Sequence, residues 1–388
     1  MNKLPEEIDY NNIFVEENPA WSQTSVKCMG ICPKQYFFSR VLKLQRKATP
    51  DMIRGTIIHG MIEKFWKEEN GVYIPVPRYG NEDSFAGVAR SRIANARREA
   101  YRTGRTRDGL IDENILSILW SKRFIEETEE MARLVYRRYT TEDEIERVAS
   151  GKRLAELSLS GEVDFDGKKI SYTTKIDEVL PPIVLRDHKT GYTKMPSEFV
   201  HKDLQFSLYA LALWSEIQKL NSPLQKDYGD YYGMSLDEFL ENLEIQIHHI
   251  PPVLRMREKG LPESEIPTES LFIPTKRNSE QIKELLRTII SYTEILKRKD
   301  FRQTTDTSVC TYKCGYTEIC PAINPEEILR RAEEVQNKAK EEENSLFLWA
   351  GVPIERSDSQ MRKRKTKQKV YEKQKVMRFM KKTNELKA

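Results

Sequence analysis

The chain is short of several things, and each shortage excludes a class of protein. It has 5 cysteines, an odd number and too few per length for a disulfide framework, so a reducing, intracellular (cytoplasmic) setting is expected. It opens without a charged-then-apolar signal segment. No apolar run approaches the roughly 18 residues that span a bilayer, so no membrane contact is expected. There is no internal repeat. A dominant charge sign is missing too: 64 Lys+Arg against 60 Asp+Glu leave +4, which alone says little about nucleic acid. The distribution says more. From Arg356 onward there are 13 basic and 3 acidic residues, so the preceding part carries 51 against 57. At 388 residues the chain can bury one large core or two modest ones.

What is present is organised around the stretch from Leu154 to Tyr209. Leu157, Leu159, Val163 and Phe165 alternate and share one face of a strand. Asp166-Gly167 supplies the positive φ of a tight hairpin, so the following segment should return antiparallel. Pro181-Pro182 ends that return strand, because proline has no N–H for the ladder. In the third strand Asp187 and Lys189 are two apart and point to the same face, with Asp177 near the end of the strand before. Two carboxylates can hold a hard divalent cation through oxygen. A lysine beside them can steady charge developing on phosphate, or hold the attacking water. A helix over 198–218 then brings Gln205 and Tyr209 onto one face by their spacing of four.

In this order, Asp177, Asp187-His188-Lys189, Gln205 and Tyr209 resemble the active-site string of the PD-(D/E)XK nucleases. The nearest likeness is to the RecB-like exonuclease branch, which includes CRISPR-associated exonucleases and the nuclease domains of recombination complexes. Cys32-Pro33-Lys34-Gln35-Tyr36-Phe37 is similar to the Cys-Pro-basic-x-aromatic signature of the iron–sulfur members. The resemblance implies an α/β, restriction-endonuclease-like core with α-β-β-β-α-β order and a mixed sheet. It implies Mg²⁺ or Mn²⁺ held by His59, Asp177 and Asp187. Lys189, Gln205, Tyr209 and Glu63 become the catalytic candidates. Gly55, His59 and Glu63 fit the spacing of the family's G-x-x-x-H-x-x-x-E helix, and the chain's own pattern predicts a helix over 52–66. Lys175, two before Asp177, departs from the family's frequent glycine and could contact phosphate or crowd the metal.

The remainder divides into a polar leader over 1–22, the nuclease domain over 23–324, and a charged helix with a basic tail over 325–388. A helical insertion over about 70–150 separates the His59 helix from the sheet. Its first helix (84–101) and the residues just beyond carry Arg90, Arg92, Arg97, Arg98, Arg102, Arg105 and Arg107. Its second (113–139) carries Arg133, Arg137 and Arg138 beside Tyr136 and Tyr139. This cap is either solvated or an arch whose guanidinium groups track phosphates. A strand over 243–250 and a helix over 279–299 follow. His248 and His249 are adjacent on that strand and should face opposite ways.

Cys310, Cys314 and Cys320 fall within twelve residues, a density that signals a metal or cluster inside the cell. The family closes a [4Fe–4S] cluster with one early cysteine and three late ones in C-x-x-C-x5-C spacing. Cys32 with Cys310, Cys314 and Cys320 would match, although the first gap here is one residue longer and zinc is the alternative. The function implied is metal-dependent cleavage of DNA phosphodiesters, on single-stranded ends, alongside recombination, repair or CRISPR-adaptation proteins. A catalytically inactive DNA-binding subunit of the same fold and a zinc-stabilised interaction protein are the competing classes.

Overall fold

The computed structural model describes residues 14–69, 72–76, 80–191 and 197–304, together with residues 314, 316 and 320. The charged helix and basic tail expected over 325–388 lie outside the described residues. Helix α1 (Gln23–Ile31) opens with a Ser22–Ser25 capping box, and α2 (Pro50–Glu63) begins at Thr49, whose side chain accepts from Met52 N, with Pro50 at the first helical position. In α2, Ile57, Ile58, Met61 and Ile62 are buried on the apolar face that the sequence pattern predicts, Ile53 joins them, and Phe65, expected on the same face, is buried just past the helix end.

Between α2 and the main sheet, the described residues are mostly helical, with two short antiparallel hairpins. The first helix there, α3 (Glu82–Thr103), stops at Gly104, whose φ of 65° only glycine adopts without strain. The single helix expected over 113–139 is two, α4 (Glu113–Trp120) and α5 (Lys122–Tyr139). Ser121 makes the break: its hydroxyl accepts from Phe124 N at 3.1 Å and starts a new helix. Helix α6 (Glu142–Ala149) completes the cap.

The main sheet follows with β1 (Leu154–Phe165), β2 (Lys168–Leu180) and β3 (Val184–Thr190), then β4 (Glu244–Ile250) and β5 (Leu271–Thr275). Spatial order equals chain order, and only β3–β4 is parallel. A parallel pair needs a crossover, and α7 (Leu204–Ile217) supplies it. The helix expected over 198–218 is interrupted at Asp203, whose carboxylate accepts from Gln205 N at 3.0 Å. That cap puts Gln205 in the first turn of α7. The Asp166-Gly167 hairpin forms as expected, with φ of 50° and 71°.

The mixed α/β architecture read from the sequence is therefore present. The largest apolar core lies between the sheet and α1, α7 and α8 (Ser279–Lys297), around Ile176, Leu185, Phe206, Leu213, Ile245 and Leu285. The end of the leader is packed against the sheet. Of its described part, Val15 and Trp21 are buried, and Trp21 bridges β2 through Trp21 N to Ser171 O (2.9 Å) and Thr173 N to Trp21 O (3.0 Å). The reason is a bare edge: β3 pairs with β2 only at Glu178–Leu180, and Trp21 covers part of what is left.

Candidate active site

The pairing of β2 with β3 runs from Leu180↔Val184 to Glu178↔Arg186 and stops there. The next residues on the two strands are Asp177 and Asp187, so both acids stand where the strands part. The His188 backbone N–H, released from the ladder, donates to Asp177 Oδ2 at 2.8 Å. Alternation along β3 sends Asp187 and Lys189 to one face and Arg186 and His188 to the other.

On the first face, Lys189 Nζ lies 2.6 Å from Asp187 Oδ2. Asp187 Oδ1 accepts from Gln205 Nε2 at 2.5 Å and from Tyr209 Oη at 3.5 Å. Gln205 also meets Tyr209 Oη at 2.7 Å and Lys189 Nζ at 3.4 Å. Asp177, Asp187, Lys189, Gln205 and Tyr209 thus converge on one site. His59 joins them from α2, its Nδ1 at 3.6 Å from Asp177 Oδ2.

Sequence reasoning missed Glu156. Ligand atoms of His59, Glu156 and Asp177 lie within 4.8 Å of one another, the one such group of potential metal ligands among the described residues. Glu156 has a φ of 55° near the start of β1, unusual for a side-chain-bearing residue. Lys175 forms an ion pair with it, so the lysine expected to touch phosphate or crowd the metal is turned onto this carboxylate. Glu63 stands apart. It is exposed at the end of α2, and its backbone carbonyl accepts from Arg153 Nη1 at 3.4 Å.

A family model of the PD-(D/E)XK nuclease superfamily matches residues 20–321. The chain belongs to the PD-(D/E)XK nuclease superfamily. Comparison with curated proteins gives no match. Among solved structures, a protein of Eubacterium rectale described as a candidate exonuclease is 12% identical, with a TM-score of 0.39 over 81% of this chain and 94% of its own. The protein SSO0001 is also 12% identical, with a TM-score of 0.28 over 54% of this chain and 75% of its own.

The electrostatics of this cluster suit a divalent ion. Burial, and then the charge of Asp187, push the Asp177 carboxyl up to about 8. Asp187 Oδ2 is buried and has only the charge contact with Lys189, without a hydrogen bond in good geometry. Two crowded acids, an under-satisfied carboxylate oxygen, Glu156 and an imidazole form a donor set for a hard or borderline cation. Burial pulls the Lys189 ammonium down, but Asp187 and Asp177 outweigh it and raise its pKa. Burial and the neighbouring acids raise Tyr209, which stays a phenol. Burial lowers His59, against the pull of Asp187.

Behind the site, on the second face, Arg186 is fully buried. It donates to Glu144 Oε1 (2.5 Å), Glu178 Oε2 (3.0 Å) and Gln246 Oε1 (3.0 Å), with its guanidinium 3.8 Å over the Phe272 ring. His188 Nδ1 meets His248 Nδ1 at 3.1 Å, while His249 Nε2 meets Gly191 O at 3.0 Å. The two adjacent histidines do face opposite ways.

Much of the arginine cap is committed internally. Arg90 pairs with Glu129 (2.6 Å), Arg133 with Asp83 (3.2 Å) and Arg137 with Glu82 (2.7 Å), while Arg92 donates to Gly60 O (2.7 Å). These arginines hold the insertion together and fasten it to α2. Composition could not show this, because the acids lie on other helices.

Of the cysteines, Cys32 is buried and Cys28, Cys314 and Cys320 are half-buried; Cys310 lies outside the described residues. Burial pushes the Cys28 thiol up, and Cys32 and Cys314 are close enough to add to this. Tyr316 carries the late cysteines back to the N-terminal helices, its ring 5.6 Å from that of Phe38 and its hydroxyl donating to Leu44 O at 2.9 Å. Among the described residues no helix is long and apolar enough to cross a membrane.

Proposed function

We propose that this chain is a metal-dependent DNA exonuclease acting on single-stranded ends. The observation that carries the reading is the meeting of Asp177, Asp187, Lys189 and Gln205 at the parting of β2 and β3. Asp177, Asp187, Glu156 and His59 would hold the Mg²⁺ or Mn²⁺. Bound there, the ion supplies Lewis acidity toward a phosphodiester oxygen.

The chain's own groups divide the remaining work. Lys189, kept cationic between two aspartates, is a charge donor to a phosphate or its transition state, and its raised pKa argues against a base. Gln205 bridges Asp187 and Lys189 and fixes both rotamers. Tyr209 donates to the same carboxylate from a buried position. Glu63 is left with at most a supporting part. The exonuclease assignment rests on the likeness to the RecB-like branch, as does a [4Fe–4S] cluster at Cys32, Cys310, Cys314 and Cys320. The gathering of Cys28, Cys32 and Cys314 supports a thiol-bound group.

The deciding experiment uses an end-labelled single-stranded oligodeoxynucleotide with Mn²⁺, comparing wild type and Asp187→Ala. Wild type should give a ladder shortening from one end, and Asp187→Ala should lose about 10²–10³ in rate or more with an unchanged melting temperature. Equal cleavage by both proteins would remove the site, and a scatter of internal products would replace exonuclease with endonuclease.

A further inference from the structure

Trp120 ends α4 with 60% of its surface in water, an uncommon place for so large a ring. Arg97 lies against one face, its guanidinium carbon 4.6 Å from the ring centroid. That arginine is itself anchored: Nε donates to Leu119 O at 2.7 Å, and Nη2 donates to the same oxygen. Arg97 sits on α3, which is held in place by buried Phe85, Ala86, Ala89 and Ile93. The ring is therefore backed by a fixed cation, and its exposed surface is presented without further ordering.

Further basic residues follow Arg97 along the chain. Arg98 follows Arg97, Arg102 stands four residues on in the same row, and Arg105 lies just past the helix. All three are exposed, and among the described residues none forms an ion pair with a carboxylate. They contrast with Arg90, Arg133 and Arg137, which are paired. The same helix touches α2 beside His59, through Arg92 Nη2 and Gly60 O. Exposed aromatic surface backed by α3, together with exposed guanidinium groups on and just past that helix that are free of carboxylate partners, suits a polyanion whose bases have free faces. A duplex keeps those faces stacked, so the chemistry selects an unpaired strand.

We propose that Trp120 is a stacking platform for a base of single-stranded nucleic acid, with Arg98, Arg102 and Arg105 contacting its phosphates. The proposal rests on the nuclease reading above and adds a substrate-binding site outside the carboxylate cluster.

The test is fluorescence anisotropy of a labelled oligodeoxythymidylate with the full chain in EDTA, so that binding is read without cleavage. Trp120→Ala should weaken binding roughly tenfold or more, Trp120→Phe should restore most of it, and neither should alter the salt slope. Arg98→Gln with Arg102→Gln should flatten that slope instead. Melting temperatures should hold, because Trp120 is outside the core. Unchanged affinity in Trp120→Ala overturns the assignment and leaves the exposed Ile118–Trp120 corner to a protein contact. No measurable binding by wild type overturns it as well. Binding through Trp120 by a protein that does not cut with Mn²⁺ would refute the enzymatic reading alone.

Discussion

Glu156 faces Asp177 across the β1–β2 hairpin, and theirs is the pair missing from an otherwise continuous register. Neighbouring pairs, Ala155↔Glu178 and Leu157↔Ile176, are intact on either side. Glu156 achieves this with a φ of 55°, a region where a side-chain-bearing residue is strained by on the order of 1–3 kcal/mol. The two carboxylates and His59 Nδ1 gather at this distortion.

Two substitutions separate ligand from strain. Glu156→Gln should raise the half-saturating Mn²⁺ concentration for cleavage by about tenfold or more, because one anionic donor is lost. Glu156→Gly should raise that concentration similarly while leaving the melting temperature equal or higher, since glycine accepts that φ. An unaltered metal dependence in both would reduce Glu156 to a partner of Lys175.

Lys189→Met keeps the stem and removes the charge. Cleavage at saturating metal should fall by about 10²–10³. Half-saturating metal should not rise, because the cation that competes for Asp187 is gone. A variant limited only by weaker metal binding would move Lys189 from transition-state charge to site assembly.

How much of this was legible depended on whether local spacing was enough. The period of two put Asp187 beside Lys189, the spacing of four put Gln205 beside Tyr209, and Asp-Gly fixed the hairpin. The same turn holds the signal that would have found Glu156. It lies ten residues before Asp166, and Asp177 lies ten after Gly167, so the register pairs them. Other features were invisible because they are tertiary. Nothing local says that Arg90 will meet Glu129, or that Trp21 will cover the edge of β2. The breaks at Ser121 and Asp203 were masked by apolar patterns that continue through both caps.

Glu178 gives an acid-stability prediction. Burial alone would raise its pKa from an ordinary 4.5, but Arg153 and Arg186 more than offset that and hold it at about 2. Its folded pKa is depressed, so its stabilisation is complete above about pH 4.5 and is lost as pH falls toward 2. The span amounts to on the order of 3 kcal/mol. Urea unfolding across that range should show the loss, and Glu178→Gln should be weaker at neutral pH by roughly 3–5 kcal/mol with a flatter acid limb. An acid limb identical to wild type would assign the loss to other carboxyls.

The cysteines supply the last prediction, where the sequence match and the structure pull differently. The likeness of Cys-Pro-Lys-Gln-Tyr to the family signature would make Cys32 the early ligand of the proposed [4Fe–4S] cluster with Cys310, Cys314 and Cys320. Cys28 is one helical turn away, Cys32 N donating to Cys28 O at 3.0 Å, and it shares its surroundings with Cys314. Its thiol also contacts Ser39 Oγ at 3.6 Å, a neutral partner that a protonated bystander can keep. We therefore expect anaerobically purified Cys28→Ser to retain iron and sulfide near wild-type content, and Cys32→Ser to lose most of both. Because the late cysteines return to the N-terminal helices through Tyr316, Cys32→Ser should also melt earlier, as a very long loop is no longer closed. Full iron in Cys32→Ser with loss in Cys28→Ser would reverse the choice of ligand. Zinc without iron in wild type would replace the cluster with a thiolate zinc site.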